Sequence, residues 1–253
     1  MIEKMIVEWN YEPKDYFEDN FTIEYDNCVI EIMSGIAEGR ILPIHIDIAD
    51  EIIKKLNQDL ESRFLAVQVM THKKFNLSKP SRYDLMKDGS KNTYLQVEDI
   101  VCVAEVSPVD LIIHDKNGNV ISDTKQERID KKKWFAETSS KYRAKDQTLN
   151  QMLKSYSSSV SDPENELVHL YEIRDAVSKE FGGESNARSK LNVTRKEWSD
   201  FGLIANKKPL LQGRHRGSNT GALRHADISE LSTVRKIASK IVEEYMVYLK
   251  NNE

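Results

Sequence analysis

The sequence predicts an α+β chain, with a mixed or antiparallel N-terminal sheet carrying one helix, followed by a C-terminal α-helical bundle. Three observations carry this. Short, partly alternating β-branched runs fill residues 1–124, residues 49–64 switch to a helical period, and from Asp162 apolar positions recur at three and four between start and stop signals. The expected division is a strand-rich domain over 1–124, a charged helical linker with a Ser-rich loop over 125–161, and the bundle over 162–253.

In the front half, Phe21-Thr22-Ile23-Glu24-Tyr25 and Cys28-Val29-Ile30-Glu31-Ile32 read as strands. Residues 41–48 read as another, with Pro43 placing it at an edge. Ile52, Ile53, Leu56, Leu60 and Phe64 then fall on one face of a helix. A polar stretch then ends at the turn signal Asp88-Gly89. Residues 94–114 are strand-rich with a break at Ser107-Pro108, and Asn117-Gly118 between Leu111-Ile112-Ile113 and Val120-Ile121 marks a hairpin.

Residues 123–146 have the composition of a solvated helix, with Trp134 and Phe135 marking a docking side, and Ser155–Ser161 reads as a loop. Asp162-Pro163 reads as a cap followed by proline at the first helical position. The stripe Leu167, Leu170, Ile173, Val177, Phe181 ends at Gly182-Gly183, and residues 187–191 form a short second helix. Thr194-Arg195-Lys196-Glu197 fits a capping box opening a third helix through Trp198, Phe201, Leu203 and Ile204. Asp227 caps a last helix with the stripe Ile228, Leu231, Val234, Ala238, Ile241, Tyr245 and Leu249. Helices striped in this way form a bundle.

The 253 residues are 39% hydrophobic and 31% charged, a balance that builds a core under a solvated surface. No run is long and apolar enough to span a bilayer, and the N-terminus lacks the pattern of a secretory signal. Cys28 and Cys102 sit in apolar runs and read as buried thiols of a reduced, cytoplasmic protein. Net charge is −4 but unevenly spread: residues 1–124 hold 13 Lys/Arg against 23 Asp/Glu, residues 125–146 hold 8 against 4, and residues 207–225 hold five Lys/Arg, two histidines and no acid.

That last segment is the candidate site. Arg214 and Arg216 supply planar forks for phosphate or carboxylate, and His215 titrates near neutrality and can move a proton. Gly213, Gly217 and Gly221 permit close backbone approach. Catalysis is expected from His215 with Arg214 or Arg216, and nucleic-acid contacts from Lys207, Lys208, Arg224, His225, Arg195 and Lys196.

Leu170-Tyr171-Glu172-Ile173-Arg174-Asp175-Ala176 on an early helix, then a basic Arg-His segment, then a long terminal helix, resembles the HEPN domains over roughly residues 160–252. The resemblance implies a helical bundle, often dimeric, and in many members a metal-independent ribonuclease of toxin–antitoxin, phage-defence or RNA-processing systems. The family signature is an arginine, four to six residues, then a histidine; the arginine holds the phosphate and the histidine assists attack or departure. Here Lys208 stands where that arginine would precede His215, and the formal match is Arg40 with His45 in the front half. A homodimer through the bundle is the implied partner, with RNA favoured over DNA.

Two other readings stay open. Residues 187–200 resemble a helix-turn-helix, with Thr194 capping a recognition helix that presents Arg195, Lys196 and Ser199 to DNA while Glu197 and Asp200 oppose it. Alternatively the basic segment serves a non-enzymatic protein contact. His45 and Asp47 alternate on one strand but lack a third ligand, and phosphate-loop and dinucleotide motifs are absent, so no metal and no cofactor is expected. His72 and His114 read as surface residues, and His169 as packed.

Overall fold

A computed structural model describes residues 2–26, 28–42, 48–88, 91–94, 110–114, 120–214, 216–218 and 221–253. It is α+β, an antiparallel sheet followed by helices, and it divides into two units: residues 1–61 with 75–131, and residues 62–74 with 132–253.

In the first unit the strands are β1 (Ile2–Glu12), β2 (Phe21–Tyr25), β3 (Cys28–Met33), β4 (Ile36–Ile41), β5 (Asn76–Leu77), β6 (Ser81–Met86) and β7 (Lys91–Tyr94). They pair antiparallel in the order β2-β3-β4-β1-β6-β7, with β5 also on β1. Alternation does the sorting: Met5, Val7, Trp9 and Tyr11 of β1 are buried, as are Cys28, Ile30 and Ile32 of β3 and Ala37 and Ile41 of β4. Trp9 Nε1 donates to Asn57 Oδ1 at 3.0 Å, and Tyr25 Oη bonds Asp59; both partners lie on helix α1 (Ala49–Thr71). Burial pushes the Cys28 thiol up to about 11, so it stays protonated and inert. A separate pair, β8 (Ile112–His114) and β9 (Val120–Asp123), flanks the predicted hairpin turn. Pro43, Gly89, Cys102, Ser107-Pro108 and Asn117-Gly118 lie outside the described residues.

Helix α1 continues past the expected end at Phe64 to Thr71. Arg63, Phe64, Leu65, Ala66, Val67, Gln68 and Val69 are all buried, so this stretch is enclosed on every side rather than amphipathic. Helices α2 (Thr124–Tyr142), α3 (Gln147–Ser161), α4 (Glu166–Glu180), α5 (Glu184–Lys190), α6 (Arg195–Gly202) and α7 (Ile228–Asn251) follow. The Ser-rich stretch expected as a loop is the second half of α3. Ser159 Oγ donates to Tyr156 O within the helix (2.6 Å), and Ser155 Oγ donates to Glu172 Oε2 of α4 (2.7 Å). Asp162 does not cap α4. A 3₁₀ turn, Pro163–Asn165, intervenes, and the Asp162 carboxylate accepts from Asn165 and lies 3.2 Å from His169 Nε2.

The other predicted punctuation is in place. Gly182 and Gly183 adopt φ of 68° and 138° after α4, Thr194 and Glu197 form a capping box on α6, and Asp227 and Glu230 form one on α7. Leu167, Leu170, Ile173 and Val177 of α4 and Val234, Ala238, Ile241 and Tyr245 of α7 are buried in this unit, whereas Ile228, the first residue of α7, is 87% exposed.

Two glutamates tie α7 to its neighbours. Buried Glu166 accepts two bonds from Arg235 (2.6 and 2.7 Å), and Glu197 accepts two from Lys240 (2.9 and 3.0 Å). His72, expected at the surface, lies with Nε2 3.7 Å from Glu166 Oε1 and its Nδ1 buried. Burial, with Arg235 adding to it and Glu166 opposing, pushes this imidazole down to about 4, so it is neutral at ordinary pH.

Leu170→Ala opens a cavity in a fully buried position and is expected to cost about 2–5 kcal/mol. Thr194→Ala removes only a cap and is expected to cost about 1 kcal/mol. Urea denaturation of both variants checks the ranking.

Candidate functional site: a clasped basic loop

The predicted basic segment closes on itself. After α6, a π-helical turn, Leu203–Lys207, leads to Pro209, and a parallel bridge joins Leu210 to Arg224. Leu211 N donates to Arg224 O (2.9 Å) and Arg224 N to Pro209 O (3.1 Å). Residues 211–223 therefore form a loop whose ends meet at a neck, a compact form in which surface loops often carry function. Arg214 N donates to Ala205 O at 2.9 Å, which pins the loop to the π turn. Gly213 eases this close approach, since a Cβ on it would stand 3.1 Å from Leu210 O, tighter than an ordinary contact.

The neck is held by one carboxylate. Glu230, with a side chain only 5% exposed, accepts from Lys208 Nζ (2.6 Å), from both Arg224 terminal nitrogens (2.7 Å each) and from Asp227 N (3.0 Å). Arg224, aided by Lys208 and the Asp227 amide against the effect of burial, holds the Glu230 carboxyl well below the usual carboxylate range. Lys208 and Arg224, expected as nucleic-acid contacts, are thus committed to the fold. His225 is exposed at the neck, its Nδ1 3.4 Å from Gln212 Nε2.

Inside the loop the two arginines point apart. Arg214 Nη1 donates to Asp175 Oδ2 at 2.8 Å, and its guanidinium lies over the Tyr171 ring, 4.8 Å from the centroid. Arg216 Nη1 donates to Leu211 O (2.8 Å) and Glu164 O (3.4 Å), and its Nη2 bonds Asn165 Oδ1. Asn165, in the turn before α4, and Asp175, within α4, are ten residues apart in the chain, so the two guanidinium groups turn to different partners and share none. His215 lies outside the described residues, as do His45 and Asp47; Arg40 of β4 is engaged by Glu31 and Glu38 in the first unit.

The two arginines also differ in what they pair with. Asp175 forms an ion pair with Arg214, whereas the described acceptors on Arg216 are neutral, so Arg216 has no ion pair among the described residues. Lys207 is exposed and has no ion pair among the described residues.

Sequence reasoning passed over the aromatic platform beneath Arg214, although Tyr171, Arg174 and Asp175 stand in the motif that carries the HEPN resemblance. Tyr171 is stacked on Phe201, with centroids 6.1 Å apart and planes 5° apart. Arg174 lies over both Tyr171 (5.2 Å) and Trp198 (4.7 Å) and pairs with Glu184. Gly202 makes this possible, because a Cβ there would stand 2.2 Å from Arg174 Nη1. The signal was the i, i+3 spacing of Tyr171 and Arg174 on one helix face.

Compared with known proteins, the chain matches no family model, no curated protein and no solved structure. Residues 187–200 do form two short helices around a turn at Asn192, with Ala187, Leu191, Val193 and Trp198 buried. On α6, Arg195 is exposed, Lys196 pairs with Asp200 at 2.5 Å, and Glu197 turns inward to Lys240. Among the described residues no group of three His, Cys, Asp or Glu side chains could hold a metal ion, and no helix is long and apolar enough to cross a membrane.

Glu230 titrates below its ordinary 4.5 in the folded chain, so its stabilising contribution is complete above pH 4.5 and fades as pH falls through the folded value. Glu230→Gln is expected to be less stable than the parent by about 1–2 kcal/mol at pH 7. Denaturation at stepped pH checks that this gap narrows in acid.

Proposed function

We propose that the helical unit is an RNA-associated module that contacts the sugar–phosphate backbone through the clasped loop. The observation that supports this best is Arg216, an exposed guanidinium held by neutral acceptors and without an ion pair among the described residues. Such a group is preorganised for a phosphate oxygen. Lys207 adds a second exposed cation before the neck. The spacing of Arg214 and Arg216 suits successive positions along a strand better than one compact reaction centre. RNA is favoured over duplex DNA because Lys196 of α6 is already engaged by Asp200, which leaves the helix-turn-helix reading with Arg195 as its exposed cation. Cleavage, in the manner the HEPN resemblance implies, requires His215 as the proton-transfer group and no metal.

Anisotropy titrations of the full chain with RNA are expected to show binding that weakens between about 50 and 200 mM salt. The double variant Lys207→Ala, Arg216→Ala is expected to lose about tenfold in affinity, with a salt slope shallower by about two. Absence of binding at low salt, or tighter binding to duplex DNA that depends on Arg195, overturns the reading. Metal-free RNA cleavage that His215→Ala abolishes makes the module a ribonuclease; cleavage unchanged in that variant removes His215 from the chemistry.

A further inference from the structure

We infer that Arg214 is a stacking platform for an unpaired base, so that the loop takes single-stranded rather than duplex RNA; this rests on the RNA reading above.

The guanidinium of Arg214 is placed from beneath and from the edge. Beneath it lies the Tyr171 ring at 4.8 Å, and at its edge the Asp175 carboxylate accepts from Nη1 at 2.8 Å. The ring cannot shift to follow it. Tyr171 is buried, lies flat on Phe201, and carries Arg174, which is itself wedged over Trp198 and paired with Glu184. Arg214 nonetheless remains 43% exposed, with Tyr171 and Asp175 as its described side-chain partners.

A guanidinium so placed offers a planar, delocalised face to a nucleobase, and bases of unpaired RNA stack on such faces. Its charge is the lesser asset, because Asp175 already offsets it. Arg216 has the opposite balance, with no ion pair among the described residues and its nitrogens turned to neutral acceptors. One arginine therefore serves a base and the other a phosphate, their partners Asp175 and Asn165 standing ten residues apart in the chain, and a flexible strand can engage both. A duplex keeps its bases stacked on each other and has none to offer.

The test uses the full chain and three ligands: an unstructured oligoribonucleotide, its duplex, and the same strand with abasic positions. The wild-type protein is expected to bind the unstructured strand about tenfold more tightly than either of the others, the scale of one base stack. Arg214→Lys keeps the cation and its reach to Asp175 but removes the planar face. It is expected to bind all three ligands alike, with an unchanged salt slope and unchanged urea stability. The inference falls if wild type binds the abasic strand or the duplex as tightly as the intact strand. It also falls if Arg214→Lys matches wild type on the unstructured strand. Should Arg216→Ala weaken binding while Arg214→Lys does not, the RNA reading stands and the stacking role is refuted. Should wild type bind no RNA, both fall together.

Discussion

A carboxylate that is almost closed off from water must be paired or protonated, and Glu230 is paired three times over. It completes the capping box of the last helix through the Asp227 amide, and it gathers Lys208 and Arg224 from the two sides of the loop neck. Those two cations repel each other without it. Closing a loop of this length also has an entropic cost that the backbone bridge at Leu210 and Arg224 offsets only in part. The shape of the loop, and with it the direction of every side chain the loop carries, follows from this one buried acid.

The same device recurs along the last helix. Glu230, Arg235 and Lys240 stand five residues apart, so successive members turn by about 140° around the axis. Each therefore grips a different neighbour: the loop neck, the start of α4 through Glu166, and the cap of α6 through Glu197. Glu197 shows how closely the roles overlap. Burial alone would raise its carboxyl, but bonds from Lys240 and from the Thr194 amide and hydroxyl hold it down to about 2. A charge count over residues 207–225 treats five cations as equivalent. Lys208 and Arg224 pair with Glu230, Arg214 pairs with Asp175, and Arg216 and Lys207 have no ion pair among the described residues.

What the sequence made legible was what is local in it. The caps at Thr194 and Asp227 and the glycine stop at Gly182-Gly183 span only a few residues, and the structure has them all. Strand β6 could not be read that way. In Ser81-Arg82-Tyr83-Asp84-Leu85-Met86 the brief alternation at Tyr83 and Leu85 points the wrong way, since the buried residue is Asp84, and the strand is defined by its pairing with β1. Strand β1 did carry a signal, Met5, Val7, Trp9 and Tyr11 at period two, diluted by the charged residues between them. The serines of α3 mimic a loop in composition, yet their hydroxyls are satisfied by a helix carbonyl and by a neighbouring helix. The site divides likewise. Its segment and its arginines were visible, but their directions were not, because Arg214 and Arg216 take their partners 39 and 51 residues away along the chain.

That divergence bears on chemistry as well as on placement. Cleavage at a 2′-hydroxyl needs a proton-transfer group within hydrogen-bond reach of the reacting oxygen, about 3 Å, and a cation on the same phosphate. Arg214 and Arg216 turn to different partners, Asp175 and Asn165, and share no acceptor. Binding has no such requirement. On the RNA reading proposed above, one phosphate lies on Arg216 and one base on Arg214. That divergence fits the proposed holding of an extended strand better than a compact reaction centre.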